Sequence, residues 1–295
     1  MEEVRERVYE KNTGAVLLDV RSDYMLDIPE DEGKGKDLAC DMSILMPYTY
    51  KKIIEAVFRC GAMTKNAIKN LLANDTSLTA ELRSEGAVDR YMDILCGKGY
   101  LYKCSCYRTE GDKDYIRYDY YIIPPSLAQE LEMRCGKSFK DYLVSPERVS
   151  KLLSISQFAT LFCDGDTDLI RDARSGILTD SDEVCLRFDV RGMRLYIASM
   201  RKGARDTRIK LLSDLSKKLN GRLECTRGVI VCENMSSVRR YADETLKMLK
   251  SSQLHGIYFT YDFTYTDRNP VLLAAERTTD GLKLIPVGIF DGGRR

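Results

Sequence analysis

The side chains in this sequence that could support metal chemistry are few. Cys104 and Cys106 are separated by one residue in a segment predicted to be a strand. Both thiols therefore lie on one face, where zinc could bind them. A closed zinc site needs two further ligands at suitable spacing, and the sequence offers no such pair. The ten cysteines are irregularly spaced, and we interpret them as reduced, buried thiols rather than a disulfide framework. We therefore favour no metal over a zinc site.

Acid–base and phosphate chemistry are equally restricted. His255 is the only histidine, which excludes any mechanism that needs two, and its position between a predicted helix and a predicted strand indicates a turn or helix end. Asp180, Asp182 and Glu183 form an acidic cluster that fits a solvated loop or a metal site, and we favour the loop. The glycine-rich phosphate loops of nucleotide enzymes are absent. We predict no cofactor and no enzymatic activity.

Basic side chains indicate a binding function more directly. Between residues 102 and 118 they alternate with tyrosines, a pattern typical of surfaces that contact nucleic acid. Residues 187–228 hold 12 basic and 4 acidic side chains, a net charge of +8, whereas residues 1–45 hold 6 basic and 12 acidic ones, a net charge of −6. The basic segment favours a phosphate-bearing partner, and a solvated basic surface is the alternative.

The candidate DNA-binding residues form two groups, and their partner would be the phosphate backbone of duplex DNA. The first group lies in a predicted helix and in a predicted hairpin, and comprises Arg83, Arg90, Lys98, Lys103, Arg108, Lys113 and Arg117. The second group lies in the basic segment, where we expect exposed side chains, and comprises Arg201, Lys202, Arg205, Arg208 and Lys210.

The elements that must carry the first group are predicted from apolar spacing in residues 46–126. Apolar residues recur at helical spacing in three successive segments, the second after a Thr64 cap and the third ending near Cys96. Segments 101–108 and 115–123 are rich in Tyr, Ile and Cys and flank a polar turn that contains glycine. Three helices followed by a β-hairpin are the outline of a winged-helix domain.

The third predicted helix would be an imperfect DNA reader. In winged helices the N-terminal end of this helix enters the major groove. Here that end carries Glu81, Glu85 and Asp89 beside its arginines, and carboxylates repel phosphates. Either these carboxylates point away from DNA or the helix docks in another manner. Residues 48–123 hold 12 basic and 10 acidic side chains, a net charge of only +2.

The flanking segments are predicted with less detail. Residues 1–45 are interpreted as an acidic and partly mobile segment with a short helix at 2–11, a strand at 15–20 and a mobile stretch through 33–36. Such an arm could lie across the basic segment and compete with nucleic acid, or be solvated, and we favour solvation. Residues 127–145 are predicted to be a linker that contains a helix.

The rest of the chain, residues 146–295, is predicted to be a mixed α/β domain. Residues 184–190 alternate as a half-buried strand, and the continuous apolar run at 228–232 is typical of a strand buried on both faces. The predicted order is helix, strand, strand, helix, strand, helix and strand, with a final hairpin at 272–290. We expect a mixed sheet with helices on both faces, and hence an α+β or α/β fold class for the chain.

A winged helix followed by a small mixed α/β domain resembles the replication-relaxation family of plasmid and conjugative-element proteins, whose second domain is similar to a restriction-endonuclease fold. The likeness covers about residues 48–290 and lies in architecture. It is carried by residues 48–123 and by the order of segments 184–190, 195–200, 208–219, 228–232 and 238–249. The resemblance implies DNA binding in the replication or maintenance of mobile DNA.

An active nuclease of that fold needs an Asp on one strand and an acidic-x-Lys on the next, because two carboxylates bind a divalent metal and the lysine helps to position water. The nearest string is Asp189-Val190-Arg191, and the following strand has no carboxylate. The resemblance therefore implies a degenerate, restriction-endonuclease-like domain.

Two functional classes remain open. We favour a non-catalytic DNA-binding protein, a replication, maintenance or regulatory factor of a plasmid or integrative mobile element. The alternative is a protein-docking or dimerisation module, which would form a homodimer or bind a replication or conjugation partner, and a metal-dependent nuclease is a distant third. No apolar run approaches the roughly 18–20 residues that span a bilayer, and the first residues are acidic where a signal peptide is basic. We expect a cytoplasmic protein without a membrane partner.

Overall fold

A computed structural model describes residues 5–10, 23–44, 46–135, 145–161, 176–178, 185–190, 193–201, 205–219, 226–248, 256–262, 271–279 and 281–287. The fold is mixed α/β, with two mixed sheets. The described residues divide into two compact units, one ending at residue 161 and the other beginning at residue 176.

Six helices of the first unit are described. They are α1 (Gly35–Ile44), α2 (Tyr48–Cys60), α3 (Lys65–Ala73), α4 (Glu85–Gly97), α5 (Pro125–Cys135) and α6 (Pro146–Thr160). The three helices predicted in residues 46–126 are confirmed as α2, α3 and α4. Thr64 caps α3 by accepting a hydrogen bond from the Ala67 N–H (3.2 Å), and Ser84 caps α4 in the same way. Each helix buries one apolar face, as its spacing predicted.

The hairpin of the first unit forms the centre of a four-stranded sheet. Its strands are β1 (Glu6–Tyr9), β2 (Met25–Asp27), β3 (Tyr102–Glu110) and β4 (Lys113–Ile122), in the order β1-β4-β3-β2. The predicted hairpin is confirmed, with a turn that needs Gly111 because the backbone there has a φ of 64°. Strand β1 runs parallel to β4, and β2 runs antiparallel to β3.

The N-terminal segment differs from its prediction. The helix predicted at 2–11 is wrong where the structure describes it, because β1 occupies the open edge of the hairpin with an extended, partly β-branched and aromatic sequence. The stretch at 33–36, predicted to be mobile, includes Gly35, which begins α1, and α1 packs against α5. A Cβ atom on Gly35 would lie 2.1 Å from the Ser126 carbonyl, so only glycine permits this approach. The strand predicted at 15–20 lies outside the described residues.

Helix α6 lies in the first unit, whereas the sequence grouped residues 146–160 with the second. It packs against α3 and α2, and almost all of its residues are buried. Its polar side chains do not prevent this burial, because the hydroxyls of Ser150, Ser154, Ser156 and Thr160 donate to carbonyls three residues earlier in the same helix. A helix buried on all sides gives no amphipathic pattern that would assign it to either neighbour.

The second unit is built on a seven-stranded sheet with two described helices. Its elements are β5 (Gly176–Leu178), β6 (Cys185–Val190), β7 (Met193–Ser199), α7 (Arg205–Leu219), β8 (Thr226–Cys232), α8 (Met235–Met248), β9 (Ile257–Tyr261), β10 (Leu272–Thr278) and β11 (Gly281–Val287). The strands follow one another in chain order from β5 to β11. Strands β7, β8 and β9 are parallel, and the other described pairs are antiparallel. The final hairpin is confirmed, and β5 was not predicted.

Both described helices of this unit cover the same face of the sheet. Leu211 and Leu215 of α7 share one core with Val238 and Tyr241 of α8 and with alternate residues of β7, β8 and β9. Each of β8 and β9 is added to the sheet next to the strand before it, in the same direction. Right-handed crossover connections then place both connecting helices on one face of the sheet. The prediction of helices on both faces is therefore wrong for the described part of this unit. Within the described ranges, no helix combines the length and apolarity that crossing a bilayer requires.

Candidate nucleic-acid interface

The four hairpin cations do not form one patch. Side chains along a strand alternate between the two faces of the sheet, and Lys103 and Arg108 are an odd number of residues apart on β3. They therefore lie on opposite faces. Lys113 pairs with Glu110 in the hairpin register and lies on the face of Arg108. Arg117 is the extra residue of a β-bulge, because the register shifts between Cys106 and Tyr107. The sequence could not show this division, since one inserted residue exchanges the faces of all the residues that follow it.

One face carries a cluster centred on Glu10, which directly follows β1. Its carboxylate accepts hydrogen bonds from Arg108 (2.8 Å), Arg117 (3.2 Å) and the Tyr24 hydroxyl (2.6 Å). Arg108 also donates to Glu110 (2.5 Å) and lies over the Tyr115 ring. Glu6 of β1 extends this face by pairing with Lys113 at 2.7 Å. We call the contacts of Glu6 and Glu10 with Lys113, Arg108 and Arg117 the N-terminal clasp.

The pKa shifts of the clasp follow from these contacts. Burial alone would raise the pKa of Glu10, but hydrogen bonds from Tyr24 and Arg108 and the charge of Arg117 outweigh burial and lower it. Burial and the hydrogen bond to Glu10 raise the pKa of Tyr24 to about 12. The hydrogen bond to Glu10 raises the pKa of Arg108. Glu10 is therefore ionised at neutral pH, and its charge neutralises the two arginines.

The other face holds Lys103 in a second charge-balanced group. Asp119 accepts hydrogen bonds from Lys103 (2.8 Å), the Tyr9 hydroxyl (2.5 Å) and the Ser105 hydroxyl (2.7 Å). Burial opposes the ionised form of Asp119, yet these three donors lower its pKa. The hydrogen bond to Asp119 is the main cause that raises the pKa of Lys103. Every hairpin cation therefore has a carboxylate partner.

The charges of α4 are arranged differently from those of the hairpin. Glu85 pairs with Lys69 of α3 at 2.9 Å, and Asp89 pairs with Lys65, so both carboxylates are directed at α3. Arg83 donates to the Ala73 carbonyl at the end of α3 (3.2 Å), which is a helix-capping role. Arg90 and Lys98 are exposed and form no ion pair among the described residues. These two are the accessible cations of the first predicted group.

The structure describes three side chains of the second predicted group, and two of them are buried, contrary to the expectation of exposed side chains. Arg201, only 5% exposed, makes a two-pronged salt bridge (2.5 and 2.7 Å) to the fully buried Asp262. Arg208 is buried as well, pairs with Glu244 at 3.1 Å and lies over the Tyr241 ring. Their positions explain the error, because Arg201 lies two residues beyond the end of β7 and Arg208 lies in the first turn of α7 beside α8. Lys210 is exposed.

The side chains of the other two members of this group lie outside the described part of the structure. Lys202 lies outside the described residues, and the structure describes the backbone of Arg205 but not its side chain. What the structure does place is a row of Arg201, Glu233 and Asp262 just beyond the carboxyl ends of the parallel strands β7, β8 and β9. Glu233 and Asp262 were not predicted, because apolar runs mark their strands and the charged residue that follows each run carries no pattern of its own.

Comparisons with protein-family models, with curated proteins and with solved structures found no match.

The cysteines considered as zinc ligands are buried in the first unit. Burial raises the pKa of Cys104 to about 12 and that of Cys106 to about 11. Among the residues that the structure describes, no group of three or more His, Cys, Asp or Glu side chains is arranged to hold a metal ion. The interpretation of the cysteines as buried thiols is confirmed for Cys60, Cys104, Cys106 and Cys232, whereas Cys40 is exposed.

Proposed function

We propose that the protein binds duplex DNA through its first unit, which acts as a winged helix and catalyses no reaction. The observation that carries this proposal is the bridge between Met63 and Tyr121. Met63 lies between α2 and α3 and exchanges two backbone hydrogen bonds with Tyr121 of β4 (3.1 and 2.8 Å). The bridge joins the three-helix segment to the hairpin that follows it, in the order expected of a winged helix.

The accessible cations of α4 support a DNA contact by this unit. Arg90 lies on the exposed side of the helix, and Lys98 follows its last residue. Their charges are available to phosphates without breaking an internal ion pair. The balanced charges of the hairpin predict modest affinity, because phosphates must compete there with carboxylates. The exposed Lys113–Glu6 pair is a weak obstacle, since solvent and salt screen the attraction between exposed charges.

The biological setting and the role of the second unit are part of the same proposal. The predicted order of strand, strand, helix, strand, helix and strand occurs in β6 to β9, which supports a restriction-endonuclease-like interpretation of this unit. Strand β7 carries no carboxylate, so we propose binding without cleavage. A role in replication, maintenance or regulation of a plasmid or integrative element is the setting that the resemblance to the replication-relaxation family suggests.

The test is a gel-shift titration of short duplex DNA at two salt concentrations with the double variant Arg90→Ala, Lys98→Ala. Affinity should fall, and the slope of log K against log salt should shrink by up to about 0.9 for each phosphate that the variant no longer neutralises. The matched control is Arg277→Ala, Lys283→Ala, which removes one exposed arginine and one exposed lysine from the second unit. Equal losses in the two variants, or no binding by the wild type at low salt, would contradict the proposal.

A second candidate function is protein docking, with the first unit as a dimerisation or partner-binding module. The observation that favours it is the neutralisation of Lys103, Arg108, Lys113 and Arg117 by carboxylates of the same sheet. A neutral surface is suited to a protein partner, whereas DNA attracts a surplus of cations. Self-association by sedimentation, together with absence of DNA binding at low salt, would support this candidate.

A further inference from the structure

Strand β1 is an addition to the hairpin and contributes little to the core. It has four residues, lies at a sheet edge and pairs with β4 in parallel, the slightly weaker mode of pairing. None of its side chains is buried, and Tyr9 is 59% exposed. Its described contacts are backbone hydrogen bonds and polar side-chain pairs. Separating β1 from β4 would therefore expose little apolar surface.

The acidic groups that β1 brings to the hairpin occupy the positions that phosphates would take. Glu6 contacts Lys113, and Glu10 contacts both Arg108 and Arg117. A carboxylate and a phosphate accept the same charge-assisted hydrogen bonds from guanidinium and ammonium groups. Three of the four hairpin cations are thus paired with carboxylates of a segment more than ninety residues away in sequence. Within the described ranges, no carboxylate pairs with Arg90 of α4 or with Lys98, which follows α4.

We propose that the N-terminal clasp masks the hairpin cations from DNA, and that β1 separates from β4 when the hairpin contacts phosphates. This inference rests on the proposed DNA-binding function. The masked protein contacts DNA through α4 alone, and the open protein adds the cations of the clasp. Each of these cations that engages a phosphate increases the number of counterions released from DNA on binding.

The first test compares the wild type with the variant Glu6→Gln, Glu10→Gln in DNA titrations at about 50 and 150 mM salt. The amides keep the shape of the carboxylates but remove their charge. Affinity at the lower salt should rise on the order of tenfold, and the salt slope should steepen by up to about 0.9 for each freed cation. The control Glu30→Gln, Asp37→Asn removes two exposed carboxylates of the same unit that contact no hairpin cation. Its affinity should change much less.

The second test detects the separation of β1 directly. The Glu10 amide donates to the Ile116 carbonyl of β4 at 2.9 Å, and hydrogen exchange of this amide reports that contact. Saturating DNA should accelerate its exchange, while exchange of the Met63 and Tyr121 amides should not increase. Slower exchange of the Glu10 amide on DNA binding would overturn the inference.

The outcomes separate this inference from the function on which it rests. DNA binding by the wild type with no gain in the Glu6→Gln, Glu10→Gln variant would overturn the masking and leave the proposed function intact. An equal gain in the control would also overturn it, because the effect would then follow net charge alone. Binding by both proteins, with tighter binding by the variant and little change in the control, would support both proposals. Absence of binding by both proteins at low salt would overturn both.

Discussion

At the scale of single residues, charged side chains in this protein serve the fold more often than their sequence suggests. Arg201 was expected to contact DNA and Asp262 carried no predicted role, yet together they form the most buried ion pair described in the second unit. Ser199 accepts a further hydrogen bond from Arg201 (3.1 Å). A buried ion pair gains little over an apolar pair, but removing one partner leaves an uncompensated charge.

We predict that Asp262→Ala lowers the free energy of unfolding by about 3–5 kcal/mol, because it leaves the Arg201 guanidinium buried without its carboxylate. Urea unfolding followed by circular dichroism measures this change. The control is Asp214→Ala, whose 3.2 Å pair with Lys217 is exposed, and its effect should stay below about 1 kcal/mol. Similar stabilities for the two variants would show that Arg201 finds a substitute partner or water.

Buried arginines in the basic segment would confound a charge-removal experiment there. Substituting Arg201 and Arg208 along with their neighbours breaks two internal salt bridges, so any fall in DNA affinity would be confounded with loss of folding. Lys210 is exposed and can be changed without this complication.

At the scale of elements, the packing of α1 on α5 depends on one position. Gly35→Ala would place a Cβ atom 2.1 Å from backbone atoms of Ser126, and a backbone cannot move aside as a flexible side chain can. We predict a loss of about 1–3 kcal/mol in the free energy of unfolding, measured by urea denaturation. The matched control is Gly86→Ala in α4, where an added Cβ has open space and helix propensity favours alanine by up to about 1 kcal/mol. A stability of Gly35→Ala equal to or above the wild type would contradict the close approach.

Elements that carry a strong local pattern could be predicted from the sequence, and elements that depend on distant partners could not. Helices α2, α3 and α4 each have an apolar stripe, and Thr64 marks the start of α3, so both their type and their limits followed from local chemistry. Strand β1 exists only because β4 offers it an edge about a hundred residues away, which no local window contains. The ion pairs of the hairpin could not be predicted for the same reason. The cations were visible, but Glu6 and Glu10 were not recognisable as their partners.

At the scale of the whole molecule, the proposed function is DNA binding without cleavage. We predict that supercoiled plasmid incubated with the protein and Mg²⁺ or Mn²⁺ stays supercoiled, because β6 and β7 do not supply two carboxylates and a lysine for a metal-bound water. Agarose electrophoresis measures the remaining supercoiled fraction. The prediction would be overturned by cleavage that disappears in the variants Asp189→Ala or Glu183→Ala.

The rate at which the buried cysteines react with an alkylating reagent reports how often each unit opens. A thiol reacts with an alkylating reagent as its thiolate, and burial both hides the sulfur and suppresses that form. Cys40 is exposed and would be consumed first, whereas Cys104 and Cys106 become reactive only when the first unit opens, and Cys232 only when the second does. Mass spectrometry of the protein after timed alkylation would therefore measure the opening rate of each unit separately. The experiment needs no fluorescent tryptophan, and the chain has none.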